Sequence, residues 1–238
     1  MRKKRSRKKQ PPRWQRWLRL FTIAMLVFVV CSFLLVLPLR WYEPVTTAFM
    51  LLDDSERRPL LHEWVEWDQL GTAIALAAVA SEDQRFADHF GLDPEAIKKS
   101  IGEQQKRGYL RGGSTISQQT AKNLFLWRGR SFVRKGLEAW LTIILEICLP
   151  KQRILEIYLN IAEFGPGIYG ASAASKTFFG VVPRRLSDRQ AALLAAVLPN
   201  PKQFRANDPT PYLQKRSNWT VRQMWRLRRE AWITRITQ

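Results

Sequence analysis

The sequence of 238 residues contains few cysteines, few histidines and few acidic residues. Its two cysteines, Cys31 and Cys148, lie in apolar, helix-like stretches, which argues against a disulfide framework but does not identify the compartment. Two histidines are too few for a histidine-rich metal site. Asp and Glu number 20 against 39 Lys and Arg, so the formal charge is +19. Such an excess favours an acidic partner, which can be nucleic acid, anionic lipid or phosphate.

The N-terminal region combines a basic tail with an uncharged apolar run. No charge occurs between Arg19 and Arg40, and a run of this length suffices for a helix to cross hydrocarbon. Residues 1–19 contain many Lys and Arg and no acid, so the positive-inside rule predicts a cytoplasmic tail. We predict a transmembrane helix at 20–39 and export of the remainder. A cleaved signal peptide is the alternative, but the run is too long and lacks a small-residue cleavage site.

The tail's charge is explained by topology and by attraction to anionic lipid, so we do not expect a nucleic-acid partner. After a juxtamembrane connector at 40–69, apolar residues recur at helical spacing almost throughout. The Ala-rich segment 72–81 predicts a buried helix. No convincing alternating strand or repeat is visible, so the predicted fold class is mainly α. We assign 70–205 to the main domain.

The last segment, residues 206–238, is predicted to form a basic helix that carries Trp219, Trp225 and Trp232. Trp225 and Trp232 share one helix face, which favours packing of this helix on the core. The alternative is a cationic amphipathic helix that lies on the membrane surface.

A first group of candidate residues lies where the Ala-rich helix ends. Glu82 is followed by Asp83, Phe86 and His89 in the run EDQRFADHFG. A carboxylate against apolar walls suits proton transfer near neutral pH. The alternative is an ordinary solvated helix end, although a negative charge there opposes the helix dipole.

A second group follows a double glycine in the run GGSTISQQTAKN, residues 112–123. A Gly-Gly-Ser-Thr start leaves backbone N–H groups free at a helix N-terminus, which is a ready anion site. Thr115, Gln118, Gln119 and Lys122 share one helix face. An ordinary solvated face after a capped turn explains the same pattern.

A third group places Arg130, Arg134 and Glu138 four residues apart on one helix, with Lys135 beside them. An exposed helical ion pair, worth about 0.3–0.5 kcal/mol, is the simple interpretation. A cationic clamp for a pyrophosphate, with a carboxylate inside it, is the functional one, since Arg suits bidentate phosphate binding. The further helix glutamates are interpreted as structural; they are Glu146, Glu156 and Glu163.

These groups occur in a fixed order together with two later motifs. The full set is EDxxFxxHxG from Glu82, GGSTISQQxxKN from Gly112, RKxxE from Arg134, ILExYLN from Ile154 with Phe164-Gly and Gly170, and AALLAAxLP from Ala191. In this order they resemble the glycosyltransferase family 51 domain over roughly residues 70–205. With one anchor and no further domain, the chain resembles the monofunctional peptidoglycan transglycosylases of that family. Ser117 stands where Thr is usual, and Gly136 is unexpected inside a helix, where it costs about 1 kcal/mol against Ala.

The resemblance implies a lysozyme-like helical fold in two lobes around a cleft. It implies that lipid II is polymerised into β-1,4-linked glycan, with inversion and release of undecaprenyl pyrophosphate. Glu82 matches the general base, and Glu138 matches a second glutamate that assists the leaving group, directly or through a divalent cation such as Mg²⁺ or Mn²⁺. No organic cofactor is implied. The residues that match phosphate-binding positions are Lys122, Arg130, Arg134 and Lys135. Those that match other substrate-binding positions are Asp83, Phe86, His89, Ser114, Thr115, Gln118, Gln119 and Asn123.

Two other functions compete with this interpretation. A lytic enzyme that cuts glycan also needs an acid in a cleft, but it needs no row of phosphate-binding cations. A non-catalytic cell-wall scaffold would bind penicillin-binding or cell-division proteins through its helix faces, and the same proteins are candidate partners of a synthase.

Overall fold

The computed structural model describes residues 12–95, 98, 113–129 and 131–229. The basic residues 1–11, Gly112 of the second motif, the candidate phosphate ligand Arg130, and Trp232 lie outside the described residues. Helices dominate the part that is described, which confirms the mainly α class.

The longer helices begin and end close to the signals in the sequence. Ser131 and Ser187 each accept a hydrogen bond from an N–H of the turn that follows, and Gly180 ends its helix in the left-handed region. The longer helices are α1 (Arg13–Val36), α4 (Thr72–Glu82), α5 (Ile116–Phe125), α6 (Phe132–Cys148), α7 (Lys151–Ile161), α8 (Ala171–Phe179), α9 (Asp188–Val197) and α10 (Pro211–Arg229). Shorter turns are α2 (Ala48–Leu51), α3 (Trp67–Leu70) and the 3-10 segments Leu37–Arg40 and Pro183–Arg185.

A small sheet, which the sequence did not predict, lies beside the helices. It consists of β1 (Leu61–His62), β2 (Glu163–Gly165) and β3 (Ile168–Tyr169), in the order β1-β3-β2. β2 and β3 form an antiparallel hairpin, and β1 pairs parallel to β3. Strands of two or three residues are too short to show alternation, so periodicity could not find them.

The Ala-rich helix α4 lies at the centre of the domain. Every residue from Ile74 to Ala80 is buried, as predicted. Helices α9 and α10 pack against it, while α5 packs against α6 and α7. Because α4 is central, its last residue, Glu82, is held where neighbouring helices meet.

The C-terminal helix α10 packs on the core, which confirms that prediction, but the tryptophans are not the reason. Leu213, Met224 and Leu227 are its buried apolar residues, whereas Trp225 is 60% exposed. The buried apolar stripe of α10 therefore consists of aliphatic residues, and Trp225 points away from the core.

The anchor helix α1 and the following turn, Arg13–Arg40, are long and apolar enough to cross a membrane by length and composition. The helix begins before the predicted span and contains most of it. Its C-terminal end is docked on α6, because Trp140 Nε1 donates to Ser32 Oγ at 3.0 Å. Arg40 and Arg153 add hydrogen bonds to the carbonyl oxygens of Cys148 and Leu39, both at 2.9 Å. These hydrogen bonds join α1 and the turn after it to the rest of the domain.

Two glycines should respond oppositely to substitution by alanine. Gly170 has φ of +83°, and an added Cβ would lie 2.6 Å from the backbone oxygen of Asn160. We expect Gly170→Ala to lower the free energy of unfolding by about 2–4 kcal/mol. Gly136 lies inside α6, and no atom lies within 4 Å of an added Cβ. Gly136→Ala should therefore raise the free energy of unfolding by up to about 1 kcal/mol. Urea unfolding of the detergent-solubilised protein checks both, and equal shifts would contradict the backbone argument.

Candidate functional site

Glu82 is the last residue of α4, and polar side chains hold both of its oxygens. Oε1 accepts from Arg216 Nη2 at 3.0 Å and Oε2 from Gln119 Nε2 at 3.1 Å. The side chain is only 12% exposed. The expectation of apolar walls around Glu82 is therefore wrong. Sequence reasoning missed Arg216, because it lies on the distant helix α10.

The rest of the first motif ties α4 to α5. Asp83 accepts a hydrogen bond from the backbone N–H of Ile116 at 3.0 Å and contacts His89 Nε2 at 2.9 Å. Phe86 is fully buried, and the Lys151 ammonium lies 4.5 Å from its ring centroid. The structure thus places Asp83, Phe86 and His89 in the support beneath Glu82 and outside the main cavity.

The N-terminus of α5 differs from the predicted anion site. Thr115 and Gln118 form a capping box, in which each side chain accepts the other residue's backbone N–H. The N–H of Ile116 is taken by Asp83. The N–H groups of Thr115, Ile116 and Gln118 therefore have partners inside the protein and are not the free donors that were predicted here. Ser114 is partly exposed, and its Oγ accepts a long hydrogen bond from Lys135 Nζ at 3.4 Å.

The middle of α5 faces the cavity, where Gln119, Lys122 and Asn123 contribute to the wall. Burial lowers the pKa of the Lys122 ammonium, and the carboxylates of Glu138 and Glu82 both oppose that shift. Lys122 is therefore within electrostatic reach of the two candidate catalytic carboxylates.

On α6, Arg134 and Lys135 both contact Glu138. Arg134 Nη1 donates to Glu138 Oε2 at 3.1 Å, and Lys135 Nζ contacts the other oxygen, Oε1. The side chain of Glu138 is 3% exposed, so this is a buried ion pair and not the exposed helical pair of the simple interpretation. Arg134 Nε is buried and has no hydrogen-bond partner among the described residues, which leaves a donor for a ligand.

A cavity of about 400 Å³ lies between these groups. Gln119, which holds Glu82, and Arg134, which holds Glu138, both line it. Neither carboxylate is itself among the lining residues, but each is held by a residue that is. The remaining lining residues are Phe49, Lys122, Asn123, Trp127, Arg128, Gly129, Tyr158, Ala162, Glu163, Leu198, Pro199, Asn200, Pro201 and Lys202.

One side of the cavity was missed by sequence reasoning. Arg128 contacts Glu163 at 3.0 Å and lies 5.1 Å from the Phe49 ring centroid. Tyr158 also lines the cavity, and its hydroxyl lies 3.3 Å from Gln119 Oε1. The nearby basic run around Arg130 was a signal for Arg128. Nothing in the pattern separated Glu163 from structural glutamates.

The side chain of Asp53 is fully buried beside Arg128, and it should make the free energy of unfolding depend on pH in the acidic range. Burial raises its pKa, but hydrogen bonds from Ser55 and Tyr169 outweigh that and lower the pKa from 3.8 to about 2. A carboxyl with a depressed folded pKa contributes stability above pH 3.8, and this is lost as pH falls toward 2. We expect the loss to be about 2 kcal/mol and to be absent in Asp53→Asn. Urea unfolding at pH values from 5 to 2 tests this prediction. If the free energy of unfolding of Asp53→Asn falls with pH as steeply as that of the wild type, the prediction is contradicted. Asp208→Asn, at an exposed position, is the control.

Comparison with known proteins adds to this geometry. The family described as Transglycosylase matches residues 51–225. The chain is 45% identical over 218 residues to the biosynthetic peptidoglycan transglycosylase of Pseudomonas aeruginosa, covering 89% of this chain and 94% of that protein. It is 48% identical over 218 residues to the protein of that name from Stutzerimonas stutzeri, covering 89% of this chain and 90% of that protein. For the Marinomonas sp. protein of that name, identity is 53% over 203 residues, with 85% and 87% covered.

Proposed function

This chain belongs to the transglycosylase family, and we propose that it is a peptidoglycan glycosyltransferase that polymerises lipid II into β-1,4-linked glycan strands. The observation that carries the proposal is one cavity lined by Lys122, by Arg134, which binds Glu138, and by Gln119, which binds Glu82. An inverting displacement needs a base on the attacking side and cations on the leaving side. Glu82 is the candidate base, and Lys122 and Arg134 are the candidate cations.

We propose that Glu82 acts as the general base. Its carboxylate takes the proton from the 4-hydroxyl of the acceptor sugar as that oxygen bonds to the anomeric carbon of the donor. The bond from that carbon to the pyrophosphate oxygen breaks on the opposite face, which inverts the configuration. Gln119 and Arg216 fix the carboxylate in place.

On the other side, cations stabilise the charge that develops on the departing undecaprenyl pyrophosphate. Arg134 presents its unpartnered Nε, and Lys122 lies on the same wall. Glu138 holds Arg134 and Lys135 in place through its two oxygens. Arg130 stays a predicted phosphate ligand outside the described residues.

A divalent cation at Glu138 stays a prediction. Mg²⁺ usually binds one or two carboxylates together with substrate phosphates. Both oxygens of Glu138 already contact cationic side chains, and the described residues contain no cluster of three metal-ligating side chains. This donor set does not fit a metal ion, so no step of the mechanism is derived through one.

We infer that the chain spans the cytoplasmic membrane once, with residues 1–19 in the cytoplasm and the catalytic domain outside. The basic tail and the apolar helix α1 support this orientation. A lipid-linked substrate remains in the bilayer, and the docked anchor keeps the cavity near it. The growing strand and membrane lipid are further proposed partners, while penicillin-binding and cell-division proteins stay predicted ones.

Incubation of the purified full chain with labelled lipid II, followed by gel analysis, tests the function. Long glycan chains are the expected product. Release of fragments from pre-made glycan, without polymerisation of lipid II, would instead favour the lytic alternative. Cellular rescue by a Glu82→Gln variant would favour the scaffold.

Arg216 should act as a positioning residue for the base. Its Nη2 donates to Ser81 Oγ at 2.9 Å and to Glu82 Oε1 at 3.0 Å. We expect Arg216→Met to lower kcat about 10- to 100-fold with little change in KM, because a loosened base is misplaced. Steady-state polymerisation kinetics and melting temperature check this, with the exposed Arg222→Met on the same helix as control. An unchanged kcat would remove this role.

A further inference from the structure

The cavity wall contains a carboxylate oxygen that no described residue satisfies. Glu163 begins β2, and its side chain is 8% exposed. Oε2 accepts from Arg128 Nη2 at 3.0 Å, whereas the buried Oε1 has no hydrogen-bond partner among the described residues. A buried acceptor without a donor is costly, so its presence at a ligand-sized cavity indicates a donor on the ligand.

The charge of Arg128 is neutralised at this end of the cavity. Its guanidinium lies 3.0 Å from Glu163, 3.5 Å from Asp53 and 3.5 Å from Asp54. Burial raises the pKa of Glu163, and Arg128 opposes that shift. Three carboxyl groups surround Arg128, and Lys202 adds one further cation at Asp54, so the charge of Arg128 is offset, whereas Arg134 has Glu138 as its carboxylate partner.

A second unsatisfied acceptor lies in the same cavity. Asn123 is 7% exposed, and its side-chain oxygen Oδ1 has no partner within the described part of the chain. Arg134, which also lines the cavity, has a buried Nε donor without an acceptor among the described residues. The cavity therefore offers a donor where an anion would lie and acceptors where hydroxyl or amide N–H groups would lie.

We propose that Glu163 is a binding and specificity-determining residue, whose Oε1 accepts a hydrogen bond from a hydroxyl or acetamido N–H of the sugar attached to the pyrophosphate. Arg128 is its positioning residue, because it fixes the other oxygen. The sugar is the one next to the leaving group, since one cavity holds both Glu163 and Arg134. This inference rests on the proposed function and assigns the uncharged part of the same substrate.

The wild-type protein alone provides the first test. Lipid II analogues, each lacking one sugar hydroxyl or carrying an ester in place of the acetamide, are compared by KM and kcat in the full chain in detergent. At least one analogue should show KM raised about tenfold, with kcat within about twofold, as expected for loss of one hydrogen bond to a carboxylate. Equal KM for all analogues overturns the inference.

The second test pairs Glu163→Gln with that analogue. The amide oxygen still accepts from Arg128, while the NH₂ group replaces the free acceptor by a donor. The variant should show about tenfold higher KM on natural lipid II and no further loss on the sensitive analogue. Glu63→Gln is the matched control, since Glu63 is half exposed, bonded to Ser172 and Lys176, and outside the cavity lining.

The outcomes separate the two proposals. No polymerisation by the wild type removes the proposed function. If Glu163→Gln polymerises natural lipid II with unchanged KM, only the role of Glu163 is removed. The same holds if the sensitive analogue raises the KM of Glu163→Gln as much as it raises the KM of the wild type. If melting shows that the variant is unfolded, the analogue series with the wild type decides.

Discussion

Replacing Glu82 by Gln should reduce the rate of lipid II polymerisation by about 10²- to 10⁴-fold, as expected for loss of a general base. The amide cannot take the proton of the acceptor hydroxyl. Its size is preserved, its oxygen can still accept from Arg216, and a flip of the Gln119 amide would let that oxygen accept from the new NH₂ group. The melting temperature should therefore change little, and KM should change less than kcat. Gel-based initial rates with labelled lipid II measure the effect.

Glu63→Gln makes the same chemical change at an exposed ion pair with Lys176, outside the cavity lining. It should retain wild-type activity. A Glu82→Gln variant that polymerises at more than about one tenth of the wild-type rate would remove Glu82 as the base.

Replacing Arg134 should have the other large effect. Arg134→Ala should lower kcat about 10²- to 10³-fold, comparable to removal of one preorganised donor from a developing anion. Arg134→Lys should recover only part of this, because an ammonium cannot reproduce the fork that holds Glu138 and presents Nε to the cavity. Single-turnover rates separate this effect from substrate binding.

Arg134 also belongs to a buried ion pair, so its removal should lower stability as well. Arg153 provides the matched control, since it forms a similarly buried pair with Glu156 and lies outside the cavity lining. Arg153→Lys should lower the melting temperature without changing the rate constant of the chemical step. Similar kinetic losses in both variants would mean that the Arg134 effect is structural.

The helical class, the buried α4 and the apolar anchor could be predicted because each is written in local patterns. Apolar residues at every position of 74–80 predict a buried helix, and Ser, Thr and Gly at the ends predict its neighbours' boundaries. The small sheet could not be predicted, because β1 and β3 have two residues each and pair across more than a hundred residues of chain. The packing face of α10 was misjudged, since large tryptophans outweighed the smaller aliphatic residues that are buried.

The candidate site divides in the same way. Arg134 and Lys135 lie four and three residues before Glu138 on one helix, and this spacing brings each of them into contact with Glu138. The sequence therefore determined both ion pairs. The capping of Thr115 by Gln118 is equally local, although it was interpreted as a substrate face.

By itself, the sequence determined the helices, the anchor and the order of the motifs, because these depend on neighbours within a few turns of chain. The tertiary structure alone decided that Arg216 holds Glu82, that Asp83 occupies the N–H of Ile116, and that Glu163 faces the cavity. Each of these contacts joins residues from different elements, and long-range packing sets their distances and their burial. The partners of each carboxylate, and its position relative to the cavity, therefore depend on the tertiary structure and not on the sequence pattern.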